Sequence, residues 1–324
     1  MLTTSVVIST YNRPQGIHAL LTSLNSQTVL PQTVIIVDQS KKEAIKAAID
    51  SFRSRPENRL NIQHEQVQFQ GLTKSRNHGM DLVKTPITTF IDDDVEIGKE
   101  YIERTLAFFE EKRGVVVSGL IQMPDMPELG APKPGGLWQL YRTIFGLSRY
   151  GKGWKVLPNF EVIYTTGIKT PTEAEYISGS NFSIYSDIAK KVRFDEKLVW
   201  YSIGEDIDFP QRVRREHPHG VWFDPRLPVS HPHAPEGALS EFLLTVHTCH
   251  HYYLYSKQWE HHPPAFAKIM FAWGRVGAVL MPCLQARKAK VIPNLDLLAR
   301  ALRVELKVLK HATQVFKGDF PIKT

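Results

Sequence analysis

Three consecutive carboxylates, Asp92, Asp93 and Asp94, follow a short and mostly β-branched apolar run, Ile87 to Ile91. Such a run reads as a buried strand, so the acids fall where a strand of an α/β sheet ends. Ligands of these sheets bind outside that end. Carboxylates packed together repel unless something positive sits among them, and a divalent cation with oxygen ligands is one answer. A solvated acidic turn capping the helix that begins near Lys99 is the plainer one. A second pair, Glu205 and Asp206, opens a helical stretch after Gly204, where the helix dipole by itself favours acids.

The elements that must position these groups alternate in type. Strand patterns at 5–9, 33–37, 60–64, 86–91 and 114–121 are separated by helical patterns after Pro14, through residue 52, over 72–83 and over 99–112. Continuous apolar strands between amphipathic helices predict a parallel sheet covered on both faces. Residues 122–175 break the rhythm with six prolines and with Trp138 and Trp154, and read as a partly structured insert or lid near a site. Residues 176–231 resume short strands around one helix.

Length and charge bound the rest. A chain of 324 residues allows one large domain or two, and 42% hydrophobic with 23% charged residues is ordinary for a soluble globular protein. The net charge of +7 is uneven: residues 236–324 hold twelve Lys and Arg against six Asp and Glu, so the basic character belongs to the tail. Two cysteines, Cys249 and Cys283, make neither a disulfide framework nor a zinc-finger pattern and fit a reducing cytosol. No secretory lead precedes the first strand pattern. Residues 269–284 are apolar but contain Arg275 and Pro282 and fall short of the ~20 residues that cross a bilayer. Residues 294–310 form an amphipathic helix with Leu295, Leu298, Leu302, Leu306 and Leu309 on one face and Arg300, Arg303, Lys307 and Lys310 on another. Such a helix either packs on its own domain with a basic edge in solvent or lies in the plane of an anionic membrane.

Six segments in order carry a resemblance. They are SVVISTYNRP with Thr10, Tyr11, Asn12 and Arg13; VIIVDQS with Asp38; GLTKSRNHGM with Arg76 and Asn77; FIDDDV; and GEDIDF followed by FDPRLPVSHPH with His231. From about residue 4 to 233 the chain resembles the inverting family 2 glycosyltransferases. That resemblance implies an α/β GT-A fold, the nucleotide-diphospho-sugar transferase fold, with a mostly parallel central sheet flanked by helices and a C-terminal helical extension. It implies a GT-A domain over 1–235, comprising a nucleotide-sugar-binding half (1–120), the 122–175 insert and an acceptor-side half (176–235). A basic helical extension follows over 236–324.

Residue by residue, the resemblance implies that Tyr11 stacks the base, with Thr10, Asn12 and Arg13 beside it on the donor, and an aromatic face suits that contact. Asp38 accepts a hydrogen bond from base or ribose, and Arg76, with Asn77, lies near base and phosphates. The D-x-D pattern falls on Asp92, facing the ribose, and Asp94, on the cation, with Asp93 as helper. His231 reaches the metal or diphosphate; His233 is its neighbour. Mn2+ or Mg2+ then stabilises the departing diphosphate. Asp206 takes the proton of the acceptor hydroxyl, Glu205 orients acceptor or loop, and Gly179, Ser180 and Asn181 let the acceptor approach. The expected partners are a nucleoside-diphosphate sugar, a glycan or lipid-linked acceptor, and a peripheral membrane surface met by the tail, with no nucleic acid. The expected location is cytoplasmic, on the inner face of the cell membrane if the tail binds there. Two other classes compete: a nucleotidyltransferase, which would need a glycine-rich triphosphate loop that STYNRPQG lacks, and a non-catalytic carbohydrate-binding protein.

Overall fold

A computed structural model describes residues 2–122, 136–165, 167–230, 240–288 and 295–321. The first half runs β1 (Thr4–Thr10), α1 (Pro14–Asn25), β2 (Thr33–Asp38), α2 (Ala44–Arg53), β3 (Ile62–Gln66), α3 (Leu72–Leu82), β4 (Ile87–Ile91), β5 (Glu96–Ile97), α4 (Tyr101–Glu110) and β6 (Val116–Gln122). Then come α5 (Leu137–Ile144), β7 (Arg149–Gly151), β8 (Lys155–Val156), β9 (Val162–Thr165), β10 (Thr172–Glu173), β11 (Asn181–Tyr185), α6 (Ser186–Val192), α7 (Glu205–Glu216) and β12 (Val221–Ser230). The chain closes with α8 (Glu241–Gln258), α9 (Ala265–Lys288), α10 (Leu295–Lys310) and α11 (Ala312–Val315).

Two compact units emerge: Met1–Pro132 with Gly167–Ala234, and Lys133–Thr166 with Pro235–Thr324. In the first, the sheet runs β10-β12-β6-β11-β4-β1-β2-β3, with β5 paired to β12. Strands β3, β2, β1 and β4 are mutually parallel, whereas β11 is antiparallel to both β4 and β6. Alternate residues Val6, Ile8, Val34 and Ile36 meet Ile17, Leu20, Leu21 and Leu24 of α1 and Ile45, Ile49 and Phe52 of α2, all buried. The 3- and 4-residue spacing of the α1 residues is the reason that segment folds as a helix on the sheet. Pro14 at its first turn loses no hydrogen bond there. Truncating one of these, Leu21→Ala, would cost about 2–5 kcal/mol.

Several details differ from the sequence expectation. The third strand lies two residues later, and residues 176–231 hold two helices, α6 and α7, because Ser186–Val192 follows β11 without a break. The 122–175 insert divides: residues 136–165 cluster with the tail, and 167–175 return to the first unit. Its aromatic residues explain this, since the Tyr141 hydroxyl donates to the Gly277 carbonyl at 2.6 Å and the Trp273 indole donates to the Ile144 carbonyl at 2.8 Å.

In that second unit, β7-β9-β8 make a small sheet and α8 to α11 a helical cluster. The tail helix also packs differently from its leucine pattern. Ala301, Val304, Glu305 and Val308 face inward, whereas Leu295, Leu302, Leu306 and Leu309 are exposed. The inward Glu305 receives the buried Arg275 guanidinium at 2.5 Å and the Tyr252 hydroxyl at 2.5 Å.

Candidate active site

Strands β1, β2 and β4 run parallel and end at Thr10, Asp38 and Ile91, so Thr10, Asp38 and the Asp92–Asp94 run share one edge of the sheet. The antiparallel β11 sets Asn181 opposite Ile91, which carries the residues before it to that same edge. There the Asp92 amide donates to the Ser180 carbonyl at 3.0 Å, and the Ile177 amide to the Asp206 carbonyl at 3.1 Å. Sheet register and this loop contact therefore bring together two acidic groups 113 and 114 residues apart in sequence, Asp92 and the pair at 205 and 206.

Arg76 of α3 joins them. Its Nη2 donates to Asp92 Oδ1 at 3.0 Å and to the Gly179 carbonyl at 2.6 Å, and its Nη1 donates to Glu205 Oε1 at 2.9 Å. The guanidinium lies over the rings of Phe182 and Phe194, 5.6 and 5.5 Å from their centroids. Burial works against its charge, but Asp92 and Glu205 outweigh that and hold it firmly protonated. The carboxylates are less well served. Burial raises the pKa of Glu205, the Asp206 charge adds to it, and Arg76 opposes. Burial likewise raises Asp206, against Arg76 and the backbone N–H groups of residues 206 and 207. One cation faces three acids, a surplus of negative charge that suits a site awaiting a proton or a cation.

The acidic run alternates in direction. Asp93 points inward, where it accepts from the Thr10 hydroxyl at 2.7 Å and from Arg13 Nη1 at 3.0 Å, and burial pushes it up to about 6. Asp92 and Asp94 stay 30% and 24% exposed, which leaves the outer two of the three accessible to a ligand. Arg13 also reaches Asp94 at 2.5 Å. Gly16 permits this geometry, because a Cβ there would stand 2.3 Å from the Asp93 carbonyl oxygen.

Among the described residues no three of His, Cys, Asp and Glu converge as a metal cage. The donor chemistry of Asp92 and Asp94, two accessible carboxylates, would suit a hard divalent cation, to which it would supply oxygen ligands. His231, the expected third ligand, and His233 lie outside the described residues.

On the β1–β2 side, Tyr11 is 49% exposed, and the Asn12 amide, at φ 56°, donates to Ser40 Oγ at 2.8 Å. Asp38 is fully buried; its carboxylate accepts from the Ser40 amide at 2.8 Å and meets His64 Nε2 at 3.2 Å. Beside it opens a polar cavity of about 510 Å³ lined by Gln39, Ser40, Lys41, Gln66, Gln68 and Gln70, among others. Asp38 thus sits beneath the surface and fixes Ser40, which lines that cavity.

Two residues expected at the ligands have partners within the fold. Asn77 closes on the loop after α6: its Nδ2 donates to the Phe194 carbonyl at 3.0 Å and Glu196 Oε1 at 2.9 Å, and its Oδ1 accepts from the Phe194 amide at 2.8 Å. Asn181 is fully buried and donates to the Leu227 carbonyl at 3.3 Å. Gly179 and Ser180 stay at the edge, where a Cβ on Gly179 would lie 2.9 Å from Glu205 Oε1.

Sequence reasoning passed over the loop before α7. Trp200 (φ 56°) and Ser202 (φ 49°) are left-handed, and Gly204 (φ 93°) caps the helix. Each such non-glycine residue costs about 1–3 kcal/mol unless neighbours hold it. Ser202 Oγ donates to the Leu198 carbonyl at 2.7 Å, and the Thr73 hydroxyl donates to that carbonyl at 3.0 Å, which ties the loop to the start of α3. These bonds aim Glu205 and Asp206 toward Arg76. Only Gly204 signalled the bend in advance.

The sequence model of glycosyl transferase family 2 matches residues 5–188. The chain is 30% identical over 138 residues to a poly(ribitol-phosphate) beta-N-acetylglucosaminyltransferase, TarS, of Staphylococcus aureus, a match covering 41% of this chain and 23% of the relative. It is 32% identical over 111 residues to the amylovoran biosynthesis glycosyltransferase AmsB of Erwinia amylovora, covering 34% of this chain and 36% of that one. These matches span well under two thirds of the relatives' own lengths. Among solved structures, GalNAc-T7 with UDP, GalNAc and Mn2+ superposes with a TM-score of 0.59 at 16% identity, over 86% of this chain and 55% of that one. S. aureus TarS 1–349 in complex with UDP superposes at 0.55 and 18% identity, over 98% of this chain and 88% of that one. These likenesses are to GT-A glycosyltransferases, and the α/β fold with its mostly parallel central sheet is theirs.

Proposed function

This chain belongs to glycosyl transferase family 2, and from that premise we propose that it is a metal-dependent, inverting glycosyltransferase taking its sugar from a nucleoside diphosphate. The acceptor is a hydroxyl of a glycan or a lipid-linked glycan, in the making of a surface polysaccharide. Relatives named for poly(ribitol-phosphate) and amylovoran chemistry support that acceptor class. Neighbours solved with UDP and with UDP-GlcNAc support a uridine nucleotide as donor.

The supporting observation is the Arg76 bridge, which sets the accessible Asp92 and the Glu205–Asp206 pair around one guanidinium. The base stacks on Tyr11 beside the polar cavity. The diphosphate lies toward Asp92 and Asp94, which would hold a Mn2+ or Mg2+ ion. When bound, that ion supplies positive charge to the departing phosphate. Asp206 accepts the proton of the attacking hydroxyl as its oxygen bonds to the anomeric carbon; the bond from that carbon to the phosphate oxygen breaks, and the nucleoside diphosphate leaves. Burial raises Asp206 above the ordinary carboxylate range and so makes it the stronger base once ionised. Glu205 stays on Arg76, so its role is to hold the guanidinium and the Gly179 carbonyl in place. His231 remains the candidate third group at the cation. The tail helix α10, with exposed Arg303, Lys307 and Lys310, meets an anionic membrane.

The test is thermal stabilisation by UDP, dTDP and GDP, with and without Mn2+, followed by sugar transfer to a glycan panel. Stabilisation by one diphosphate that depends on metal and is lost in Asp94→Ala fits a transferase. Preference for a triphosphate would point to nucleotidyl transfer instead, and indifference to every nucleotide to a binding protein.

A further inference from the structure

In the second unit, α9 is apolar on both sides. Ala267, Phe271 and Val279 are buried, while Ile269, Trp273, Val276 and Leu280, three and four residues apart, are 70%, 48%, 46% and 40% exposed. Helix α5 lies alongside, held by the Tyr141–Gly277 and Trp273–Ile144 hydrogen bonds and by Phe145 stacked on Trp273 at 4.8 Å. It adds Leu137, Leu140 and Ile144, at 85%, 55% and 55% exposed. Half of the sixteen exposed large hydrophobics among the described residues sit on these two helices. A patch of this kind on a water-facing protein marks a binding surface.

Charge identifies the partner. Residues 136–160 contain no Asp or Glu but carry Arg142, Arg149, Lys152 and Lys155. Residues 261–288 are equally free of acid and contain Lys268. An apolar face whose two segments carry basic side chains and no acidic ones complements an anionic bilayer. It opposes a second copy of itself, which would bring the same basic segments together. Among the described residues no helix is long and apolar enough to cross a membrane, so the contact lies in the plane. Trp273, half exposed with its indole N–H satisfied, is the kind of side chain that sits at headgroup level.

We propose that the α5–α9 face is a monotopic membrane-insertion surface, which sinks Leu140, Ile144, Ile269 and Trp273 into the headgroup–acyl boundary of anionic lipid. The choice of partner follows the membrane contact proposed above, but the insertion is assigned to a different face from α10.

Flotation of the full chain with phosphatidylcholine vesicles, with and without phosphatidylglycerol, tests it. The variants are Leu140→Glu with Ile269→Glu, and Arg303→Glu with Lys307→Glu and Lys310→Glu. All five side chains are exposed, so melting temperature should hold, and sedimentation reports any change of oligomeric state. Expected is a loss of roughly tenfold or more in binding to anionic vesicles for the first variant, the size set by two buried side chains, and a smaller loss for the second. Acyl chains brominated near the headgroup should quench wild-type fluorescence more than that of Trp273→Phe. Loss only in the α10 variant would overturn the insertion face and leave the membrane contact standing. Wild-type protein that ignores anionic vesicles would overturn both, and a dimer dissolved by Leu140→Glu with Ile269→Glu would replace lipid by a second copy.

Discussion

Among the described residues each unit buries one arginine among acids, and the two are balanced in opposite ways. In the second unit Arg275 meets a single carboxylate, Glu305, through three N–H contacts, and the Tyr252 hydroxyl takes up what is left. In the first, Arg76 faces Asp92 and Glu205 directly, with Asp206 next along the helix, and Glu205 and Asp206 respond with raised pKa values. A matched buried pair gives a unique packing and little else. An unmatched one stores a readiness to take up a proton or a cation, which is what a catalytic site needs. Surfaces divide likewise: the first unit exposes Tyr11, Val29 and Tyr201 as large hydrophobics, two of them beside the cleft residues in sequence, whereas the second exposes whole helical stripes.

The sharpest way to break this contrast is to remove one acid from each. Asp206→Asn should lower the rate of transfer by roughly 10²–10⁴-fold, with nucleotide affinity and melting temperature at or above wild type. Glu305→Gln should leave the rate per folded molecule unchanged while the melting temperature falls, since Arg275 is left buried without its counter-charge. Calorimetry beside a transfer assay decides. Substantial transfer by Asp206→Asn would take that residue out of the base role.

Removing the cations comes next. Arg76→Met and Arg275→Met should each cost about 3–5 kcal/mol, because each strands buried acid. Rescue separates them. Glu305→Leu added to Arg275→Met restores most of the stability and leaves transfer intact, as an apolar pair fills the same space. Glu205→Gln added to Arg76→Met recovers stability without recovering transfer. Recovery of transfer by that double variant would demote the bridge to scaffold.

A pH series then refines the difference. An acid whose folded pKa is raised binds its proton more tightly when folded, so its contribution favours folding at low pH. That contribution fades as pH climbs through the window between the ordinary carboxylate value and the raised one. Asp206→Asn should therefore match wild-type stability below the ordinary carboxylate value and exceed it increasingly as pH rises through the window, while wild-type transfer rises as pH passes the raised value of about 6 and the base ionises. A stability difference constant in pH would mean that Asp206 titrates normally.

Much of the first unit was legible in the sequence because its strands are continuous apolar runs and its helices carry 3.6-residue stripes; local pattern and final burial coincide there. The acidic groups were legible for the same reason, since each follows a recognisable element. What escaped depended on partners distant in sequence. The leucines of α10 announced a packing face, yet Ala301, Val304 and Val308 pack instead, small residues that allow closer approach to neighbouring helices. Within the 122–175 insert, nothing local reveals that Tyr141 and Phe145 meet α9. The partners of Asn77 and Asn181, backbone groups contributed from elsewhere in the fold, left no local trace in the sequence.

The finest probe of the contrast is a single methyl group placed in each unit. Alanine at Gly179 sets a Cβ 2.9 Å from Glu205 Oε1, the oxygen held by Arg76, so the carboxylate must move and carry the guanidinium with it. Transfer should slow several-fold while stability changes by less than about 1 kcal/mol, because the clash is with the end of a side chain and no core volume changes. Alanine at Gly274 meets Asn159 Nδ2 at 3.0 Å inside α9; the few tenths of an ångström that Asn159 must yield oppose the helix propensity gained, about 0.5–1 kcal/mol. Stability should stay near wild type and transfer should not change. Equal slowing by both methyls would mean that strain in either unit reaches the chemistry; slowing by Gly179→Ala alone keeps the chemistry at the Arg76 bridge.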